Sequence, residues 1–129
     1  LMKYLRISAE ETLTRICRTR LTNGFPLIYE ESYWVTAMTG VIGKTEAEGS
    51  LFQYIKRARK IVPVYSLQEL DAVGASGAIA QALQVHDQFP LLRSLMVFYD
   101  AQDRPFELAF NYYRTYRCKL SMVRTLNED

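Results

Sequence analysis

The sequence is poor in the residues that build metal and redox sites. Its 129 residues include two cysteines, Cys17 and Cys118, and a single histidine, His86. The cysteines form no CxxC pair and no Cys/His cluster, so zinc-finger and dithiol redox motifs are excluded and we expect two reduced thiols. No activated nucleophile or Ser/His/Asp order surrounds His86, which falls in a predicted loop. We therefore predict no metal site, no cofactor, no catalytic residues and a solvent-exposed histidine.

Excess charge and long hydrophobic runs are also missing. The formal net charge is +2 and the pI is about 8.6. This excess of positive charge is smaller than is typical of a protein that binds the phosphate backbone of nucleic acid. We do not expect this segment to bind DNA by itself. The sequence has no run of 18 apolar residues and no signal-peptide pattern. We expect a soluble, cytoplasmic protein that does not contact a membrane.

Apolar residues are plentiful. Hydrophobic residues make up 49% of the chain and aromatic residues 12%, enough for one compact domain spanning residues 1–129 with a real core. The chain opens with LMKYLR rather than with an initiator methionine. We therefore expect it to be one part of a longer polypeptide, with a further domain preceding it.

The stretch from Arg15 to Trp34 is predicted to form a β-hairpin. It reads RICRTRLTNGFPLIYEESYW, two runs rich in Ile, Thr and Tyr joined by Asn23 and Gly24, which both tolerate the positive φ of a tight turn. Arg18 and Arg20 lie on one face of the first arm because side chains alternate along a strand. With carboxylates on the second arm, the hairpin is suited to holding a charged group.

The register of this hairpin decides where Glu30 points, and the local sequence leaves two alternatives open. A two-residue turn places Leu21 opposite Pro26 and turns Glu30 away from the arginines. A three-residue loop with Gly24 left-handed places Leu21 opposite Phe25 and brings Glu30 to the arginine face.

The rest of the chain alternates strands and helices. Residues Lys3 to Ile7 alternate as a strand would, and Val35 to Glu48 reads as a loop without sustained periodicity. Ser50 caps a helix that reads SLFQYIKRARK, a strand follows Pro63, and Ser76 caps a second helix, GAIAQALQV. The predicted class is therefore α+β, with a mostly antiparallel sheet and the helices packed on one side.

The last predicted hairpin joins Leu91–Tyr99 to Phe106–Arg117. Its second arm alternates cleanly between two faces. One face should pack under the helices, and it carries Phe106, Leu108, Phe110 and Tyr112. The other is polar around a small residue, as a ligand cavity over a sheet requires, and it carries Glu107, Ala109, Asn111 and Tyr113. A strand with one solvated face is the alternative.

The order and spacing of these pieces resemble one known family over almost the whole chain. The pieces are an Arg-x-Arg strand, a Gly-x-Pro hairpin with PLIYEESYW, a Ser-Leu-Phe helix start, a helix reading AIAQALQV, and PLLRSLMVFYDAQDRPFELAFNYYRTYR. Together they resemble the UTRA domain, the C-terminal effector-binding domain of GntR-type transcription regulators of the histidine-utilisation-repressor branch.

The resemblance implies a chorismate-lyase-like fold, a homodimer, and a winged-helix DNA-binding domain preceding residue 1. It also implies a small-molecule pocket whose occupancy changes operator affinity. The effector contacts that it implies are Arg18, Arg20, Glu30, Ser50, Glu107 and Tyr113. Two arginines and a helix N-terminus favour an anion, so we expect a small anionic effector such as a sugar phosphate.

Three alternatives accompany this interpretation. The arginines could pair with Glu30 or Glu31 across the hairpin in a purely structural role. The chain could be a chorismate-lyase-type enzyme, since the fold hosts one. It could also be a dimerisation module without an effector, in which its own side chains fill the polar face of the last strand.

Overall fold

The computed structural model describes residues 2–127, and its centre is an antiparallel sheet with the strand order β1-β2-β5-β4-β3. Every neighbouring pair is antiparallel, so the predicted α+β class with an antiparallel sheet is confirmed. The strands are β1 (Leu13–Thr22), β2 (Phe25–Val35), β3 (Tyr65–Gly74), β4 (Pro90–Tyr99) and β5 (Pro105–Arg114).

The helices are short. The described residues contain α1 (Met2–Leu5), α2 (Thr36–Thr39), α3 (Lys44–Ala47), α4 (Leu51–Arg59) and α5 (Gly77–Leu83). The alternation of Lys3–Ile7 wrongly predicted a strand, because Leu5 is buried in a core cluster that holds this segment as helix α1. None of these helices is long and apolar enough to cross a membrane.

Helices cover both faces of the sheet, so their expected placement on one side is wrong. On the face that bears Glu30 and Trp34, called the cavity face below, Trp34 packs with Leu51 and Ile55 of α4. On the reverse face, Tyr29 packs with Leu83 of α5. The reverse face also packs against α1, whose Leu5 clusters with residues of β2, β4 and β5. Two apolar faces on one sheet each need a covering layer.

The first hairpin has the two-residue turn, with Leu21 opposite Pro26 and positive φ at both Asn23 and Gly24. The register then shifts, since Arg20 lies opposite Ile28 and an extra residue is left as a β-bulge on β2. The predicted three-residue loop is therefore wrong. Glu30 nevertheless lies on the same face as the arginines, as that loop was expected to place it, because the bulge on β2 turns it there.

A second bulge turns Phe106 to the cavity face. Tyr99 pairs with Pro105 while Phe98 already pairs with Glu107, so Phe106 is the extra residue of β5. It is fully buried in the cluster around Trp34. The predicted grouping of Phe106 with Leu108, Phe110 and Tyr112 is therefore wrong for Phe106, whereas the other three pack on the reverse face.

Candidate functional site

A cavity of about 420 Å³ lies between the cavity face of the sheet and the start of α4. This volume is within the range of small-molecule sites in proteins. All six residues singled out from the sequence line it, namely Arg18, Arg20, Glu30, Ser50, Glu107 and Tyr113.

Strand register explains why these side chains meet. Residues directly opposite each other in an antiparallel sheet point to the same face, and Glu30 lies opposite both Arg18 and Asn111. One row further along, Ile28 lies opposite Tyr113. Ala109 lies on the floor of the cavity, and its small side chain leaves room above the sheet.

Arg18 is held by the protein itself. Its Nε and Nη2 donate to Glu30 Oε1 at 2.9 and 2.6 Å, and its Nη1 donates to the carbonyls of Ala47 and Gly49 at 3.3 and 3.4 Å. The structural pairing considered from the sequence is thus present at Arg18. Because every nitrogen of this guanidinium already has a protein acceptor, Arg18 positions Glu30 and ties the segment before α4 to the sheet.

Arg20 is much freer than Arg18. Its Nη2 lies 3.6 Å from Glu30 Oε2, and its side chain is 59% exposed, compared with 26% for Arg18. The guanidinium therefore has donors available for a carboxylate or phosphate entering the cavity, and it can approach such a group with two parallel N–H bonds.

The N-terminus of α4 forms part of the cavity wall. Ser50 is the N-cap, and its Oγ accepts a hydrogen bond from the Gln53 N–H at 3.3 Å. Leu51 and Phe52 occupy the first turn, where backbone N–H groups lack an intrahelical acceptor, and both residues line the cavity. The free donors and the positive end of the helix dipole favour an anion here.

Among the described residues, Oε1 of Glu107 is the one buried side-chain nitrogen or oxygen atom without a hydrogen-bond partner. The residue is only 4% exposed, and its Oε1 has no hydrogen bond. Burial, reinforced by the negative charge of Glu30, raises the pKa of the Glu107 carboxyl well above its ordinary value, while Arg18 opposes the rise. A nearly fully buried carboxyl lining a cavity and lacking a partner points to a ligand group that would supply one.

Tyr113 stands at the opposite end of the polar row from Glu107. Burial is the main cause that raises the pKa of its phenol, which therefore stays protonated at neutral pH. Its hydroxyl can both donate and accept a hydrogen bond.

The far end of the cavity is aromatic. Phe52 lies edge-on to Phe98 with ring centroids 5.0 Å apart, and to Trp34 with centroids 6.3 Å apart. Phe106 completes this cluster from below. The cavity thus combines a cationic end, a row of hydrogen-bonding groups and an apolar wall.

Asn111 is a cavity residue that the sequence reasoning did not select. It is 8% exposed and lies between Glu30 and Ser94 across the sheet. The alternation that placed Glu107 and Tyr113 on one face also placed Asn111 there, so the signal was present. The aromatic wall carried no such signal, because Trp34, Phe52 and Phe98 come from three separate elements.

The comparisons with known proteins agree with this geometry. The family model described as the UTRA domain matches residues 1–119. The chain belongs to the UTRA domain family. This membership confirms the resemblance seen in the sequence.

Relatives of this UTRA domain are transcription regulators. The HTH-type transcriptional repressor NagR of Bacillus subtilis is 26% identical over 103 residues, which are 80% of this chain and 42% of NagR. The chain therefore spans less than half the length of that relative.

Solved structures share the fold. The ligand-binding domain of a GntR-family transcriptional regulator from Bordetella bronchiseptica superposes with a TM-score of 0.84 at 25% identity, over 98% of this chain and 80% of that one. YydK of Bacillus subtilis, described as a possible transcriptional regulator, gives a TM-score of 0.90 at 22% identity, over 96% of this chain and 54% of its own. The UTRA domain is thus the ligand-binding part of GntR-family regulators.

Proposed function

We propose that this UTRA domain binds a small anionic effector, such as a sugar phosphate, in the cavity between the sheet and α4. Binding would change the operator affinity of a winged-helix DNA-binding domain in the same polypeptide. The likeness to a GntR-family ligand-binding domain and to the repressor NagR supports this role.

The anionic end of the effector is assigned to Arg20 and the start of α4. Glu30 is the one carboxylate that faces both arginines, and its contact with Arg18 is the shorter, 2.6 Å against 3.6 Å, so Arg20 is left with the larger share of unbalanced positive charge. A phosphate there would accept hydrogen bonds from the guanidinium and from the Ser50 hydroxyl or first-turn N–H groups. Arg18 would act by positioning Glu30 rather than by holding the anion.

The remainder of the effector is assigned to the polar row. Glu107 Oε1 lacks a donor, so an effector hydroxyl or N–H that reaches it would remove an unfavourable buried acceptor. Tyr113 and Asn111 can bind further hydroxyl groups, and the Phe52 and Phe98 rings would cover the apolar face of a sugar. A polyhydroxylated phosphate ester has all three of these features.

The observation that carries the proposal is the presence of Arg20, Ser50 and the unpaired Glu107 around one cavity. If side chains of the domain itself filled the polar face of β5, a dimerisation module without an effector would be the better interpretation. That face instead borders a cavity. No described contact favours the enzyme alternative, and we propose that the domain is not an enzyme.

Isothermal titration with a panel of phosphorylated sugars, amino acids and phosphonates tests the proposal. We expect at least one phosphorylated compound to bind, and we expect Arg20→Ala to weaken it at least tenfold. The matched control is Arg15→Ala, because Arg15 lies on the same strand but pairs with Glu31 on the reverse face. Unchanged binding in Arg20→Ala would disprove the anion site.

The domain is also proposed to act in the cytoplasm as a homodimer without turnover of a substrate. Incubation with chorismate should leave the compound intact, as followed by its ultraviolet absorbance. Formation of 4-hydroxybenzoate and pyruvate by the purified chain would instead establish the enzyme alternative.

A further inference from the structure

The surroundings of Glu107 on the cavity face are largely aromatic. Glu107 lies opposite Trp34 of β2 and opposite Phe98 of β4, so the strand on each side brings a ring to the same face of the sheet. Phe106, turned to this face by the bulge, belongs to the cluster around Trp34. A carboxyl group among these rings has lost most of its contact with water, since the residue is 4% exposed.

Trp34 and Arg18, which share this face with Glu107, have their side-chain donors occupied. The indole N–H of Trp34 donates to Ser32 Oγ at 2.9 Å. The Nε and Nη2 of Arg18 donate to Glu30 Oε1, and its Nη1 donates to main-chain carbonyls. Glu107 Oε1 is left without a donor. An ionised carboxylate here would be both buried and incompletely paired, which proteins strongly disfavour.

The charged and titratable groups around the cavity come from three strands. Arg18 and Arg20 lie on β1, Glu30 lies on β2, and Tyr113 lies on β5 together with Glu107. Burial is the main cause that raises the pKa of the Glu107 carboxyl, the charge of Glu30 adds to the rise, and Arg18 opposes it. Because Arg18 is paired with Glu30, these two charges partly offset each other and burial decides. The remaining elements of the lining, β4 and α4 with the residue before it, contribute neutral residues: Met96, Phe98, Gly49, Ser50, Leu51 and Phe52.

We propose that Glu107 binds the effector as a neutral carboxylic acid, and that it thereby selects a hydroxyl group over an ammonium group at this end of the cavity. The inference rests on the proposed function, because the ligand is the phosphorylated effector of the same cavity. A neutral carboxyl offers one O–H donor and one carbonyl acceptor, and a hydroxyl can satisfy both. An ammonium group offers only donors, so it would require the ionised carboxylate that these surroundings disfavour.

The anionic end of the effector strengthens this preference. A phosphate near Arg20 and the start of α4 adds negative charge to a cavity in which Glu30 already disfavours a second carboxylate. Effector binding and protonation of Glu107 therefore favour each other. In the pH range where the carboxyl titrates without effector, affinity should fall as pH rises, by at most about tenfold per pH unit for one linked proton.

Glu107→Gln tests the protonation state. Glutamine has nearly the same shape, combines a carbonyl acceptor with N–H donors and cannot ionise, so it imitates the neutral acid. Isothermal titration with glucose 6-phosphate is run from pH 5.5 to 9 on the wild-type chain and on Glu107→Gln. We expect the two affinities to agree within twofold at pH 5.5, and Glu107→Gln to bind at least fivefold more tightly at pH 9. The second ionisation of the phosphate, with a pKa of about 6, affects both chains alike and cancels in the comparison.

Glu31→Gln is the matched control. Glu31 follows Glu30 on β2, but it lies on the reverse face and pairs with Arg15. Removing this carboxyl should leave the pH dependence of the wild-type chain intact. Weaker binding by Glu107→Gln at every pH would overturn the inference, because the ionised carboxylate would then be the binding form.

Proton counting on the wild-type chain gives a second test that does not depend on the folding of a variant. Titrations at pH 8 in HEPES and in Tris, which differ in ionisation enthalpy, yield the number of protons exchanged on binding. The phosphate is almost fully ionised at this pH, so it contributes little. We expect net proton uptake. Net release, or no exchange, would overturn the inference.

The outcomes separate this inference from the proposed function. Glucose 6-phosphate is the first probe, and the same series is repeated with each sugar phosphate that binds. Binding that depends on Arg20 but has the same pH profile in the wild-type chain and in Glu107→Gln would refute the neutral acid alone. If no sugar phosphate bound at any pH, the proposed effector site would be refuted, and this inference with it.

Discussion

Glu107 is the residue whose negative charge is least favoured by its surroundings. Its carboxyl is almost fully buried, lies near the charge of Glu30 and lacks a partner at Oε1. A buried carboxylate without hydrogen bonds costs several kcal/mol, and taking up a proton reduces that cost. Glu107 Oε1 is therefore a buried acceptor that a donor group of a ligand would satisfy.

Replacing Glu107 by glutamine should change how stability depends on pH. Because the folded-state pKa is raised, the folded chain binds this proton more tightly than the unfolded chain at pH values between the two pKa values. Stability contributed by the protonated group is thus present below the unfolded pKa and is lost as pH rises towards the folded pKa. This loss has an upper limit of about 1.4 kcal/mol per pH unit.

Urea unfolding at several pH values from 4 to 8 measures this effect. We expect Glu107→Gln to gain stability relative to wild type as pH rises. Gln53→Ala, an exposed change without a titratable group, should run parallel to wild type across the series. Parallel curves for Glu107→Gln would show that the carboxyl is not perturbed by folding.

At the residue scale, the sequence predicted which side chains meet but not how each is used. Alternation along β5 placed Glu107 and Tyr113 on one face, and the hairpin placed the arginines together. The binding of Arg18 to the carbonyls of Ala47 and Gly49 was not predicted. The sequence reading of Val35–Glu48 as a loop missed α2 and α3, and Ala47 is the last residue of α3.

Among the elements, α4 combines a structural and a proposed ligand role at one residue. Ser50 caps the helix through its Oγ, and the same N-terminus borders the cavity. A serine that serves both roles can be tested with substitutions that separate them.

Ser50→Asp should keep the helix cap and weaken effector binding. Aspartate caps helices as well as serine does, whereas Ser50→Ala should cost about 1 kcal/mol of unfolding free energy. The added negative charge of aspartate would repel an anionic effector at the same place. Urea unfolding and isothermal titration on both variants give the two measurements.

The role of the α4 terminus would be refuted by tight effector binding to Ser50→Asp. Loss of both stability and binding in this variant would mean that the two roles had not been separated. Gln53→Ala again serves as the control, because it changes an exposed side chain on the same helix and leaves the backbone N–H that Ser50 caps.

Elements with strong local signals were predictable from the sequence. The side of the sheet to which their residues or helices turn was less predictable. Asn23-Gly24 and the Ser50 cap determine a turn and a helix start through local chemistry. The two bulges depend on pairing with neighbouring strands, so the local sequence left the face of Glu30 open, and simple alternation placed Phe106 on the wrong face. The side chosen by each helix depends likewise on contacts distant in sequence.

On the scale of the whole molecule, the proposed ligand site extends over most of the sheet. The cavity lies over β1, β2, β4 and β5, four of the five strands. The cavity is also bordered by Met96 and Phe98 of β4, the strand that pairs with β3.

Thermal unfolding tests the ligand site in the intact domain. A ligand at 100 times its dissociation constant adds about 2.7 kcal/mol of stability, which for a domain of this size raises Tm by about 10 °C. We expect Arg20→Ala to lose most of this shift at the same ligand concentration. Arg15→Ala should retain it, because Arg15 pairs with Glu31 on the reverse face of the sheet. Since association would make Tm depend on protein concentration, all variants are compared at one concentration. A full ligand shift in Arg20→Ala would show that the ligand is held without the anion site.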